Sequence, residues 1–344
     1  MRKAIEVLFV ILFLLTSCNN PMSPEKPTPS SSSSDILLSL DPNSPPTSTP
    51  FQPIAPTATA SVTETPVVIL DPTSEINPVF DNKIKLGLPR PSGQVNILIL
   101  GSDFRPGKGY RTDVIMVLSL NPSKGTASLT SVPRDLYVDI PGVGMSRINA
   151  AQPTGGFPLT AATLKNNLDI QVDYYFLTTF SGFKSIIDTL GGITVHAGMD
   201  LSDKCDLPQA VEKSCFIPAG SNDMNGETAL WYVRSRHTGS DLDRTRRAQE
   251  VIVAVFQKAM SLDALNRGPE LFNLFINSVE TNISTSKLLE LLPFAGTILS
   301  DPSIVKRFLI GSGNVSNYIV PDTGAMVLLP DPVSIGEIVR QAFY

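Results

Sequence analysis

The sequence predicts an α/β fold with a central mixed β-sheet between helices, and three observations predict it. Continuous apolar runs, "VNILIL" (95–100) and "DVIMVLSL" (113–120), fit strands covered on both faces. Strand-like and helix-like segments then alternate along the chain, the pattern of a sheet with helices packed on both sides. Finally, the 250 residues from Val95 to Tyr344 have ordinary globular composition, enough for one large domain or a domain with an appendage.

Taken in order, "VNILIL" is a first strand, "DVIMVLSL" a second and "TASLTSV" (126–132) a third, with "NPSKG" supplying the hairpin turn between the last two. "PLTAATLKNNL" (158–168) spaces Leu159, Ala162 and Leu168 for a helix, and "VDYYFLTTF" (172–180) returns as a strand. "SGFKSIIDTLGG" (181–192) reads as a helix opened by Ser181 and closed by glycines, followed by the strand "ITVHA". Asn225 caps a helix in "NGETALWYVRSRH" that turns Leu230 and Val233 inward. Ser240 or Asp241 opens a long helix with Val251, Val255 and Ala259 along one face. From Pro269 to Leu299 the pattern is helical, and "MVLLPDPVSIGEIVRQAFY" gives a short apolar run and a final amphipathic helix. The domain expectation is therefore 92–262 for the catalytic part, with 263–344 a C-terminal helical extension on the same or a separate domain.

The segment before this reads differently. Arg2 and Lys3 precede "VLFVILFLL", a nine-residue apolar run too short for a membrane span, which needs about 20 residues. It has the form of an export signal over residues 1–18. "LTSC" resembles the bacterial lipobox, in which Cys18 becomes the lipidated N-terminus; ordinary signal cleavage and an uncleaved anchor are the alternatives. Residues 19–91 are rich in Pro, Ser and Thr, and residues 1–91 hold 15 of the 29 prolines, a composition that cannot bury enough apolar surface to fold. A coil of about 60 residues spans roughly 40 Å, so it reads as a spacer between a membrane and the domain.

An exported chain can oxidise its thiols, and Cys205 and Cys215, ten positions apart across a polar loop, are spaced for a disulfide. Two free thiols are the alternative. A net charge of -5 argues against nucleic acid as a partner.

Against that negative charge, Arg234, Arg236, Arg244, Arg246 and Arg247 fall within fourteen positions. The bland account is a solvated helix face neutralised by Asp241 and Asp243. Arg111, Arg134 and Arg147, at strand ends or in loops, favour a converging set, because planar guanidinium forks match phosphate oxygens and suit a pyrophosphate. The stretch "ILILGSDFRPGKGYRTD" (97–113) carries a glycine-rich loop with "GK", but five residues separate Gly101 from Gly107, which breaks the P-loop spacing, and the Rossmann spacing fails as well. Asp103 and Asp113 either neutralise the arginines or hold a magnesium ion that completes its shell with water and phosphate oxygens.

Three ordered blocks, "ILGSDFRPGKGYRTDVIMVLSLNPSKGTASLTSVPRDLYVDIPGVGMSRINAA", "VDYYFLTTFSGFKSIIDTLGGITV" and "LWYVRSRHTGSDLDRTRRAQEVI", resemble the LytR-CpsA-Psr family over roughly residues 95–260. The resemblance implies an αβα sandwich and an extracytoplasmic, membrane-anchored phosphotransferase. Such an enzyme moves a glycopolymer from a polyprenyl-pyrophosphate carrier to peptidoglycan through a phosphodiester bond, with magnesium or manganese as cofactor. Carried over by motif, Asp103 and Asp113 are the metal-associated acids and join Arg134 as catalytic residues. Arg134, Arg234, Arg236 and Arg244 contact the pyrophosphate, and Arg105 and Arg111 match motif positions. Arg147 stands where the family has lysine, and Ala248 where it has glutamine, with Gln249 beside it as the stand-in. A polyprenyl tail would lie among residues such as Ile186, Ile187, Val251 and Phe256, which are otherwise simply core. Hydrolysis of lipid pyrophosphates and binding of them without turnover are the competing functions.

Overall fold

The computed structural model describes residues 82–104, 110–235, 241–261 and 267–344. The signal segment, Cys18, residues 19–81 of the spacer, Arg105 and Arg236 lie outside the described residues.

Three consecutive antiparallel strands form the middle of the molecule: β1 (Val95–Ser102), β2 (Thr112–Asn121) and β3 (Thr126–Ser131). They form where the apolar runs demanded, and a turn at residues 122–125 joins β2 to β3, with Gly125 at φ +64° as a turn of this tightness requires. Two short hairpin strands follow, β4 (Tyr137–Ile140) and β5 (Gly144–Arg147), then helix α1 (Ala151–Leu168), kinked at Gly155 and Gly156. β6 (Tyr174–Thr179) runs parallel to β1 on its far side. Helix α2 (Phe180–Thr189) starts earlier than the sequence suggests, because the Thr179 side chain, not Ser181, accepts the hydrogen bond from the Gly182 amide that caps it.

Beyond α2 come β7 (Ile193–Ala197), β8 (Leu201–Lys204), β9 (Ser214–Ile217) and β10 (Gly220–Met224). They pair among themselves, β7 with β10 and β8 with β9, outside the central sheet. Helix α3 (Gly226–Arg234) is capped by Asn225, whose side chain accepts from the Thr228 amide. Helix α4 (Asp241–Ala259) turns Val251, Val255 and Ala259 into one apolar cluster with α2, α3 and β7.

The C-terminal third corrects the expectation of a helical extension. Helices α5 (Gly268–Ser278) and α6 (Thr285–Ser300) are present, but β11 (Val279–Thr281) lies between them and pairs with β6. β12 (Val305–Leu309) runs parallel to β3 and closes the opposite edge, giving the order β11-β6-β1-β2-β3-β12. The hairpin β13 (Val315–Ile319) with β14 (Met326–Pro330) and helix α7 (Pro332–Phe343) complete the chain. Because two of its segments complete the sheet, this region is part of the same fold.

The domain also begins earlier than residue 92. Ile84 is buried, its amide donates to the Asn167 carbonyl, and Arg90 forms a fork to Asp173. Residues Phe80–Tyr344 form one compact unit. Leu98, Leu100, Ile115 and Val117 pack on one face of the sheet against α1 and α7, whereas Met116 and Leu129 on the other meet Ala248 of α4. The architecture is a mixed sheet between two helical layers. Among the described residues no helix is long and apolar enough to cross a membrane.

Candidate functional site

The site grows from the point where β1 stops. A register shift between Gly101 and Ser102 breaks the β1–β2 ladder, and the chain leaves the sheet at Asp103. Asp103 is buried and holds the return of the loop: its Oδ1 accepts from the Arg111 amide at 2.6 Å and its Oδ2 from Arg111 Nη2 at 3.2 Å. A Cβ at Gly101 would lie 3.1 Å from that of Val114, so a larger residue here would crowd that side chain by a few tenths of an ångström.

One residue into β2, Asp113 is paired with Arg134, which leaves the end of β3 and also donates through Nε to Asp135 at 3.3 Å. Burial alone would lower the Arg134 pKa, but Asp135 and Asp113 outweigh it and leave the guanidinium more basic than usual. Asp135 in turn sits 3.4 Å from Arg147 Nε.

Part of this network opens onto a cleft of about 800 Å³. Asp103, Arg111, Asp113, Arg134, Arg234 and Arg244 all line it. Arg234, at the last turn of α3, lies over the Phe180 ring at 4.6 Å, a cation–π contact that fixes its direction. The same cleft is also lined by apolar side chains, among them Met116, Phe183, Leu230 and Ile252. A cleft lined by both guanidinium groups and hydrocarbon suits an amphiphile with an anionic head.

Several expected site residues go elsewhere. Arg147 donates twice to the Met326 carbonyl, at 2.7 and 3.2 Å, tying β5 to the hairpin β13–β14, and is not in the cleft lining. Gln249 is buried with its amide nitrogen on Ser131 Oγ and the Phe308 carbonyl, both at 2.7 Å, so it pins α4 to the sheet. Ala248 puts a methyl group in the cleft wall instead. Of the residues suggested for an apolar tunnel only Val251 lines the cleft; Ile186 and Ile187 pack in the cluster under α4, and Phe256 against the α6 side of the sheet.

The arginine cluster divides by helix geometry. Arg244 faces the cleft, while Arg246 pairs with Glu250, whose other oxygen accepts from the Tyr232 hydroxyl at 2.7 Å. Burial first, then Glu250, push that phenol far above its usual range. Arg247, 1% exposed, donates to the carbonyls of Tyr232 and Ser235 and so closes the C-terminal end of α3.

Sequence reasoning missed another stretch of the rim, where Asp203, Lys204, Asp206 and Leu207 of the β8–β9 hairpin line the cleft. Cys205 and Cys215 are joined in a disulfide there, with Cα atoms 5.7 Å apart, and the Trp231 indole donates to the Lys204 carbonyl at 2.9 Å. On loop-closure entropy a bridge of this span is worth about 3 kcal/mol. The Cys205→Ala/Cys215→Ala double variant is therefore expected to lose about 2–3 kcal/mol in urea titration. Unchanged stability in that titration would show that the rim does not depend on the bridge.

The comparisons with known proteins agree on one family. The LytR_cpsA_psr family model matches residues 59–316. The polyisoprenyl-teichoic acid–peptidoglycan teichoic acid transferase TagU of Oceanobacillus iheyensis is 32% identical over 266 residues, 73% of this chain and 76% of that protein. TagT of Bacillus subtilis, of the same description, is 31% identical over 214 residues; the match spans 61% of this chain and 66% of TagT, just under two thirds of its length. Among solved structures, B. subtilis TagV superposes with a TM-score of 0.61 at 28% identity, covering 73% of this chain and 96% of that one.

Proposed function

The chain belongs to the LytR-CpsA-Psr family, and from that membership we propose that it is an extracytoplasmic phosphotransferase, tethered by a lipid on Cys18, that attaches a glycopolymer to peptidoglycan. The donor in this reading is a polyprenyl-pyrophosphate-linked glycopolymer, and the product carries a phosphodiester. One observation carries the proposal: four arginines and two aspartates line the same cleft as a set of apolar side chains. The head of a lipid pyrophosphate finds charge-assisted donors there while its tail finds hydrocarbon.

Arg134, Arg234 and Arg244 hold the pyrophosphate oxygens. Held by fixed donors, the charge that develops on the leaving phosphate costs little reorganisation. A wall hydroxyl attacks the phosphorus next to the polymer sugar, forming the new P–O bond while the phosphoanhydride bond breaks and polyprenyl phosphate leaves. A carboxylate of the cleft lining takes the hydroxyl proton.

Among the described residues no group of three His, Cys, Asp or Glu side chains comes together as metal ligands. Asp103 and Asp113 would hold a hard cation that shares its shell with water and substrate phosphate, as magnesium or manganese does. Bound there, such an ion would neutralise phosphate charge and polarise the reacting phosphorus. Chelation with EDTA is expected to stop transfer in a purified assay and added magnesium to restore it; transfer at full rate in excess chelator would remove the metal from the reading.

Transfer itself is tested by incubating the protein with lipid-linked polymer, with and without peptidoglycan, and following the polymer. Attachment to peptidoglycan is the expected result. Release of free polymer phosphate in both arms would make the protein a lipid pyrophosphatase, and no turnover in either would make it a binding protein.

A further inference from the structure

The residue after Asp103 turns outward. Phe104 is 53% exposed, with its amide fixed on Ser102 Oγ at 3.1 Å. Its ring lies 6.3 Å from that of Tyr110, tilted by 59°. The Tyr110 hydroxyl is anchored on the Gln152 carbonyl at the start of α1, at 3.2 Å. Tyr175 of β6 stacks on Phe157 of α1, centroids 4.8 Å apart, and donates to Glu280 Oε1 of β11 at 2.8 Å. Burial first and then Glu280 raise both phenols, Tyr175 to about 12, so one carboxylate acts on both tyrosines.

Two ring pairs, Phe104 with Tyr110 and Phe157 with Tyr175, both within the influence of Glu280, thus make up a shelf that begins at the site's own aspartate. Its place in the sheet matters. Tyr175 belongs to the face of Leu98, Leu100 and Ile115, covered by α1 and α7, and strand alternation puts Asp113 on that face too. The cleft draws most of its apolar lining from the other face, under α3 and α4, with Leu100 and Ile115 of this face also reaching it. A substrate in the cleft and another on the shelf would meet at Asp103, Asp113 and Arg134, where the sheet ends.

We propose that this shelf binds the acceptor as a polysaccharide strand, its sugar rings lying against Phe104, Tyr110 and Tyr175 and its hydroxyls on Glu280 and the phenols. This rests on the transferase reading above. Aromatic faces are electron-rich and meet the electron-poor C–H faces of sugars, and rings already held by neighbours lose little entropy on binding. Glu280 accepts hydrogen bonds from hydroxyls but repels phosphate, which favours the uncharged backbone of a wall glycan over a phosphate-rich donor polymer. A lipid tail would gain nothing from these polar edges and is already served by the cleft.

The test uses the full chain, glycan strands released from peptidoglycan by an amidase, and the separated stem peptides. Calorimetry should show binding of strands and not of peptides. Phe104→Ala, an exposed change that leaves the core intact, and Glu280→Gln should each weaken strand binding about 5- to 20-fold. In the transfer assay they should raise the acceptor KM by the same factor with kcat held within about twofold. Unchanged strand affinity in both variants, or binding of peptides instead, overturns the proposal. If strands bind the wild-type chain but no polymer is transferred, the transferase reading fails and the shelf stands; if transfer proceeds and the variants keep their acceptor KM, the reverse holds.

Discussion

Replacing Arg134 with alanine is expected to lower the rate of polymer transfer by about 10²- to 10³-fold, the usual cost of removing a fixed donor to developing charge. The side chain is 13% exposed and joins Asp113 at the strand end to Asp135, which is itself tied to Arg147. Its direction is therefore set before any ligand arrives. Without it the pyrophosphate would face Asp113 with one less cation between them, so ground-state binding should weaken as well, and KM for the lipid donor should rise. Arg134→Lys keeps the charge but offers one compact ammonium for a planar fork that now serves two carboxylates, so it should recover only part of the loss. Folding should suffer little, by about 1 kcal/mol, because the group stands at a strand end and not in the core. Steady-state kinetics on lipid-linked polymer, beside a thermal melt, decide it. Near-normal kcat in the alanine variant would remove Arg134 from the reaction.

How far the sequence led depended on whether neighbours in the chain or neighbours in space decide a residue's place. The strands β1, β2 and β3 were legible because both of their faces are covered, which forces continuous apolar runs. Asn225 was legible as a cap because capping is local. By contrast β12 reads "VKRFL", with Lys306 and Arg307 exposed, since it is an edge strand and carries no continuous apolar run. The three residues of β11 are too few for any period to show. The acids and arginines were legible as a set through their motifs. Their sorting was not, because adjacent positions on a helix differ by about 100° and Arg244, Arg246 and Arg247 therefore meet the cleft, Glu250 and two backbone carbonyls respectively. The same holds for apolar side chains: Val251 lines the cleft and Ile187 fills the core, a distinction that belongs to packing and leaves no mark on composition.

Arg247 illustrates the difference most sharply, and its substitution should have the largest effect on folding. Arg247→Met is expected to cost about 2–5 kcal/mol, because methionine fills much of the volume but donates nothing to the Tyr232 and Ser235 carbonyls, and an unsatisfied buried polar group costs about 1–3 kcal/mol. For a fold of this size that corresponds to a fall in Tm of roughly 5–15 °C. The damage should also reach the site. Those two carbonyls bracket Arg234, whose guanidinium lies over Phe180 at the cleft, so loosening the end of α3 should raise KM for the lipid donor even where the protein remains folded. Arg247 is thus a positioning residue, distinguishable from Arg134 by two readouts that move oppositely. Arg134→Ala should lose kcat with its melting temperature nearly intact. Arg247→Met, assayed well below its lowered Tm, should lose stability and donor affinity while keeping most of its kcat. A methionine variant that melts with the parent chain would mean that water satisfies both carbonyls, and the account of how α3 is held would have to be abandoned.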